Sequence, residues 1–163
     1  MITTPYFITE RLHLREILIS DVSFIGELIS HAEVRRFLGG PVPTVQREAA
    51  ISDYLSFAEG KLVWLVETRG VRHPVGLISI SRHTDGEDYE LSYQLHPDAW
   101  GFGYATEAAM RVIEFALNDL QLKRLIAETQ SANTASRRLL ERLGMKELRR
   151  LQRFAAEQVI YTS

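Results

Sequence analysis

No cysteine occurs among the 163 residues, which removes disulfides, thiolate metal sites and a cysteine nucleophile together. No apolar run is long enough to span a bilayer. The opening segment MITTPYFITERL lacks a basic stretch followed by an apolar one, so no signal peptide is expected and the cytoplasm is the expected compartment. Charge of one sign is also scarce. The net charge is -2, which supplies no broad basic field, so neither nucleic acid nor a membrane is expected as a partner. His13, His31, His73, His83 and His96 are scattered without metal-ligand spacing, and no metal is expected. Repeats, low-complexity tracts and Pro/Gly/Ser-rich linkers are missing too, which leaves one domain over residues 1–163. The remaining composition, 45% hydrophobic and 25% charged, is that of an ordinary globular chain. A chain of this size buries roughly two-thirds of its unfolded surface without needing a staple.

Periodicity orders the elements. Residues Thr9 to Ile17 alternate, with Leu12, Leu14 and Glu16 on one face and Arg11, His13 and Arg15 on the other, which predicts a half-buried strand. Ser20 and Asp21 precede Val22, Ile25, Leu28 and Ile29 at helical spacing. Gly39, Gly40, Pro41 and Pro43 break the chain. Thr44 is placed to cap a second helix through about Glu59, with Ala50, Tyr54, Phe57 and Ala58 on its apolar stripe. Strands at Lys61 to Glu67, Val75 to Ser81 and Tyr89 to Leu95, joined by short polar turns, predict an antiparallel meander. A helix over Ala105 to Asn118, a strand at Arg124 to Glu128 and a helix from Thr134 to Leu143 follow, with Gly144 as C-terminal cap. Two apolar, strand-like pieces, Met145 to Leu151 and Val159 to Tyr161, end the chain. The pattern is α+β, a mixed sheet with helices packed on its faces.

The segment LSYQLHPDAWGFGYATEAAM reads as strand, connection, two glycines and helix. Gly101 and Gly103 can reach positive φ and let backbone amides converge. The following helix leaves its first four amides without intrahelical partners, and its dipole adds roughly half a positive charge there. Such an end suits a phosphate or pyrophosphate. A third glycine at dinucleotide spacing and a Gly-Lys-Ser/Thr are both missing. On these residues alone two readings stay open: an anion cradle, or a turn that links strand to helix.

A second segment, AETQSANTASRRLLERLGMKEL, combines a strand, Asn133, Ser136 and a helix ending in Leu143-Gly144-Met145. Together, YELSYQLHPDAWGFGYATEA and NTASRRLLERLGM resemble the GNAT acetyltransferases. The opening TERLHLRE, the segment EVRRFLGGPVPT and the closing VIYTS are similar to the RimJ/RimL branch, which includes ribosomal-protein N-terminal acetyltransferases. The resemblance covers nearly the whole chain. It implies a mixed, mostly antiparallel central sheet with helices on both faces, and acetyl-coenzyme A as cofactor. It implies that the amides of Trp100, Gly101, Phe102, Gly103, Tyr104, Ala105 and Thr106 bind the pyrophosphate. It also implies that Tyr93, Gln94 and Leu95 run beside the pantetheine arm, in a cleft where the sheet splays. Trp100 departs from the glutamine or arginine usual in the broader superfamily.

Acetyl transfer to an amine needs a neutral amine, a donor to the oxyanion and a proton for the leaving thiolate. With no cysteine and no G-x-S-x-G motif, a covalent acyl-enzyme is disfavoured, and direct attack in a ternary complex is expected. Glu90 shares a strand face with Ser92 and Gln94. By resemblance it is the candidate proton acceptor; the competing reading is an exposed strand glutamate, or one that only positions substrate. Ser136 lies within about 40° of Leu140 and Leu143 at ~100° per residue, so it faces the packed side. By resemblance it sits near the coenzyme sulfur and donates to it; the competing reading is a helix-start serine bonded to its own backbone. Asn133 suits an N-cap that accepts from Ala135 or Ser136, with a contact to the cofactor arm implied by resemblance. The simplest oxyanion donor is a backbone amide of Tyr93 to Leu95.

Other residues receive plainer readings. His96 reads as a solvated pre-proline histidine, and Trp64 as core. Arg137, Arg138 and Arg142 form a basic helix face that is either solvated or set against the coenzyme 3′-phosphate. Phe37 and the loop from Gly39 to Pro43 line the acceptor pocket by resemblance, or simply connect two helices. The expected activity is N-acetyl transfer to a primary amine, first a protein or peptide N-terminus, by a monomer or homodimer. Alternatives are a small-molecule amine or antibiotic as acceptor, and a non-catalytic acyl-coenzyme A sensor. A nucleotide-binding domain is disfavoured by the meander before the loop.

Overall fold

The computed structural model describes residues 3–56, 58 and 60–163. Eight strands form one sheet in the order β1-β2-β3-β4-β5-β6-β8-β7. The strands are β1 (Phe7–Ile8), β2 (Leu12–Arg15), β3 (Leu62–Thr68), β4 (Pro74–Arg82), β5 (Tyr89–Leu95), β6 (Leu125–Gln130), β7 (Lys146–Arg153) and β8 (Ala156–Thr162). The helices are α1 (Val22–Ser30), α2 (Ala32–Arg35), α3 (Thr44–Leu55), α4 (Tyr104–Asn118) and α5 (Thr134–Arg142). β3 to β5 form the expected antiparallel meander, and β2 and the unforeseen β1 extend it, also antiparallel. α4 then crosses over, so that β6 runs parallel to β5, and β8 returns antiparallel to β6 with β7 as its hairpin partner. The result is the mixed, mostly antiparallel sheet with helices on both faces that the sequence implies.

Two cores sandwich the sheet. On one face Leu12, Leu14, Trp64, Ile78 and Leu91 meet the α4 stripe of Ala108, Ala109, Val112 and Ala116. Small residues on that stripe let the helix lie close to the strands. On the other face Val63, Leu65 and Leu77 meet Ile25, Leu28 and Ile29 of α1, with Ala50, Ile51 and Tyr54 of α3 packed around them. Trp64 is core, as expected, and its Nε1 donates to the Pro5 carbonyl at 2.7 Å.

Several local expectations need correction. His13 was expected on a polar face, yet it is buried. The face is closed by ions: Arg15 donates to both oxygens of Asp21 at 2.8 and 2.9 Å and to Glu67 at 3.0 Å. Thr44 does not cap α3; Pro43 holds that position and Thr44 is the first helical residue. α3 ends at Leu55, and Phe57 and Glu59, placed by the sequence in its last turn, lie outside the described residues. The final hairpin is not apolar throughout. β7, KELRRLQR, is largely exposed, because it is the sheet's outer edge, where charged side chains oppose pairing with another chain.

Candidate active site

The sheet opens at β5. β5 and β6 pair only at Tyr89↔Leu125 and Glu90↔Ile126, then part. Farther along β5, the His96 amide donates to the Val75 carbonyl of the preceding segment. Alternation along an antiparallel pair therefore turns the backbone of Tyr93 and Leu95 away from β4, into the fork. Gly76 keeps β4 close here, since a Cβ at that position would lie 2.5 Å from the Gln94 carbonyl oxygen. A cleft of about 400 Å³ fills the fork. Its lining includes Tyr93 and Leu139, which pack with the α4 core, and Val34 from the α1 core. Gln94 lines it too, with its Nε2 donating to Tyr54 Oη of α3 at 2.7 Å. The cleft thus passes through the sheet.

The glycine loop forms one wall. Gly101 and Gly103 have φ of 82° and 79°, the left-handed region that glycine adopts without a Cβ penalty. Among the described residues the amides from Gly101 to Thr106 have no protein acceptor. Arg11 braces the loop from behind. Its Nη1 donates to the Phe102 carbonyl at 2.6 Å, and its Nε and backbone amide each donate to Glu107 at 2.7 Å. Thr9 adds a fourth bond, to Glu107 Oε1 at 2.6 Å. Burial pushes the Glu107 carboxyl up, but the bonds from Thr9 and Arg11 outweigh it and hold it below the usual range. Trp100 extends the wall, and its Nε1 donates to the Leu95 carbonyl at 2.9 Å. The indole therefore satisfies a backbone acceptor that the parting of β6 would otherwise strand.

Across the cleft, Asn133 Oδ1 accepts the Ser136 amide at 3.2 Å and starts α5. That places Ser136 in the lining, with its hydroxyl 2.7 Å from Tyr93 Oη. Burial pushes Tyr93 up to about 12, against the Ser136 bond, so the pair keeps both protons through the neutral range.

Glu90 stands apart, at the root of the fork and outside this cleft's lining. Its carboxyl, one His83 ring nitrogen and one Glu128 oxygen lie within 4.8 Å of one another. Glu128 accepts from Arg153 Nε at 2.8 Å, and His83 Nε2 lies 2.6 Å from Glu128 Oε2 and 2.8 Å from Arg153 Nη2. Burial raises the Glu90 carboxyl, and the Glu128 charge adds to it against His83 and Arg153. Burial acts on Glu128 too, but Arg153 and His83 hold that carboxyl below its usual range.

A through-sheet fork, a glycine loop at a helix start and a hydroxyl pair opposite it are the features that known proteins can be compared with. Residues 11–146 match the family described as Acetyltransferase (GNAT) domain. The chain belongs to the GNAT family. It is 30% identical to an uncharacterised N-acetyltransferase of Bacillus subtilis, YoaA, over 88% of this chain and 84% of that protein. Its fold matches spermidine N-acetyltransferase from Vibrio cholerae, solved with CoA and spermine. The TM-score is 0.82 at 16% identity, over 95% of this chain and 96% of that one. A ribosomal-protein-alanine acetyltransferase from Vibrio fischeri matches with a TM-score of 0.78 at 17% identity, over 98% and 96%. The protein is a GNAT N-acetyltransferase, and no described helix is long and apolar enough to cross a membrane.

Within this GNAT cleft the structure gathers Tyr93, Gln94, Leu95, Trp100, Gly101, Gly103, Tyr104, Ala105, Thr106, Asn133 and Ser136. Phe102 is in the loop but turns outward and stacks on Tyr104 at 5.5 Å between ring centroids. His96 is only partly exposed and is bonded rather than free. It accepts the Asp98 amide as cap of a short turn and lies 3.0 Å from Glu27. Of the basic helix face, Arg142 lines the cleft and Arg137 bonds Tyr161. Phe37 joins the fork through its carbonyl, which accepts from Gln130 Nε2 at 3.2 Å. Sequence reasoning missed Arg11 and Glu107. Their separation in the chain hides the pairing, although Glu107 in the first turn of α4 was a visible anion at a helix start.

Proposed function

We propose that the fork holds acetyl-coenzyme A and that the chain acetylates the α-amine of a protein or peptide N-terminus, as in the RimJ/RimL branch. One observation carries the cofactor reading: six consecutive amides, Gly101 to Thr106, lack protein acceptors among the described residues, at a helix start beside two positive-φ glycines. A diphosphate fits such a cradle. Arg142, at the cleft margin, is a candidate for a further phosphate contact. Bound acetyl-coenzyme A supplies the activated acetyl thioester.

The chain's own residues divide the remaining work. Backbone amides of Tyr93 and Leu95, facing the fork, are the candidate donors to the thioester oxygen. The Tyr93–Ser136 pair, protonated at neutral pH, donates toward the departing sulfur. Glu90 takes the proton of the attacking amine, directly or through water, from the α3 side of the sheet. Nothing in this scheme attaches the acetyl group to the protein.

Charge favours an α-amine acceptor. At the root of the fork, Glu128 and Asp85 are matched by Arg153 and Arg149, which leaves Glu90 as the unmatched carboxyl. One such group suits one ammonium better than a polyamine. The fold shared with the Vibrio fischeri ribosomal-protein-alanine enzyme supports the same reading. A small amine is the second reading, favoured by the likeness to the spermidine enzyme.

A thiol-release screen with acetyl-coenzyme A over N-terminal peptides and small amines tests both. Faster turnover of alanine-starting peptides than of spermidine is expected. The reverse ranking selects the second reading. Tight binding without any turnover marks a sensor, and no binding overturns the cofactor reading.

A further inference from the structure

We propose that Arg153, His83 and Glu128 are positioning residues for Glu90: they lock one carboxylate of a buried pair, so that the other carries the exchangeable proton. The inference rests on Glu90 as the proton acceptor in the reading above. Two carboxyls this close in a shielded site do not ionise independently, and their bonds decide which one keeps a proton.

The bonds here are one-sided. Arg153 spans both oxygens of Glu128, with Nε on Oε1 and Nη2 on Oε2, a fork geometry that suits only the anion. A guanidinium has no proton to give up at working pH. The Asp85 amide donates to His83 Nδ1 at 3.3 Å, and His83 Nε2 lies 2.6 Å from Glu128 Oε2 and 2.8 Å from Arg153 Nη2, so the ring is packed between the two partners of the bridge. Glu90 has no side-chain hydrogen-bond partner among the described residues, only the Glu128 backbone amide, and faces this ensemble within 4.8 Å. A proton arriving from an amine therefore goes to Glu90 and leaves from it.

The ensemble is built from three separate elements. His83 and Asp85 come from the β4–β5 turn, Glu128 from β6 and Arg153 from the end of β7. Asp85 anchors Arg153 Nη1 at 3.0 Å and also meets Arg149. Asp88, paired with Arg124 at 2.8 Å, flanks the same turn, while Ser81, the β4 neighbour of Glu90, is uncharged. His83, Glu90 and Glu128 have the chemistry of a divalent-cation site. The Arg153 guanidinium already saturates Glu128, so it serves as the resident cation.

The test is a carboxyl 13C titration of the full chain labelled at glutamate, with the Glu90 resonance assigned by its loss in E90Q. In E128Q the Glu90 midpoint should fall by about one unit, since a neighbouring anion is gone. In R153Q the Glu128 resonance, assigned by its loss in E128Q, should rise by roughly half a unit or more as that carboxyl begins to share the proton, and R153K should restore most of the shift. If E128Q does not fold, R153Q and R153K decide alone, with Glu128 assigned as the glutamate signal that R153Q moves and R153K returns. A Glu128 midpoint within about 0.3 unit of wild type in R153Q, or a Glu90 midpoint that does not fall in E128Q, overturns the inference. The two readings fail separately: an E90Q protein with full acetyl-transfer activity removes Glu90 as acceptor, whatever its titration shows.

Discussion

At the scale of single residues, the Tyr93–Ser136 hydroxyl pair gives the sharpest prediction. S136A and Y93F should each lower kcat by about 100-fold, the low side of what a positioned proton donor contributes. Affinity for coenzyme A, read by calorimetry, should change far less. Equal losses in kcat and affinity would mean that the pair only shapes the cleft. Ser136 was legible in the sequence because a helix fixes its direction once the apolar stripe is known. Its Tyr93 partner was not, because the two hydroxyls meet across the fork, 43 positions apart. A second residue-scale prediction concerns Gly76. G76A drives a Cβ to 2.5 Å from the Gln94 carbonyl oxygen, an overpacking that should cost about 1–3 kcal/mol in a urea melt. The displaced β5 should also weaken acetyl-coenzyme A binding. Sequence marks Gly76 only as a glycine in a strand, with nothing to say which backbone approaches it.

At the scale of elements, the glycine loop and the start of β2 behave as one unit. Arg11 and Glu107 fasten the loop at Phe102 and at the first turn of α4. R11A leaves Glu107 with fewer of the bonds that keep it ionised and frees the Phe102 carbonyl. The expected outcome is a roughly 10-fold rise in the Kd for acetyl-coenzyme A, which corresponds to about 1.4 kcal/mol, with the α4 core retained. R11K, which keeps the charge but not the planar fork, should recover only part of the loss. The loop itself was open to sequence reasoning because glycines and helix starts are local features. Its support was not, because it depends on which strand the folded sheet brings behind it. The same limit explains β7. Alternation and length mark it as a strand, but only the sheet order makes it an edge, and that position accounts for its arginines.

At the scale of the whole molecule, the charge network sets the pH response. Asp21, Glu107 and Glu128 are all held below their usual range despite burial, with arginine bonds to each. Such groups stabilise the fold above their unfolded pKa, near 4, and that contribution is lost as pH falls through their lower folded values. His13, lowered first by burial and then by Arg72, acts in the same sense, since the unfolded chain takes up its proton first. Glu90, raised by burial, opposes them: between its unfolded and folded values the native state binds the extra proton, and stability grows as pH drops. Urea midpoints should therefore fall steeply below about pH 4, with E90Q removing the opposing contribution between its two values. The fork has a further consequence for the sheet as an object. Where β6 leaves, β5 becomes an edge strand in the interior of an eight-stranded sheet. Edges of this kind invite pairing with foreign strands, but this one is walled by helices on both faces and partly closed by the Trp100 indole. Its signature is dynamic. Tyr93 and Leu95 amides should exchange hydrogen faster than their neighbours bonded to β4, and should slow when acetyl-coenzyme A lies along them as a substitute strand.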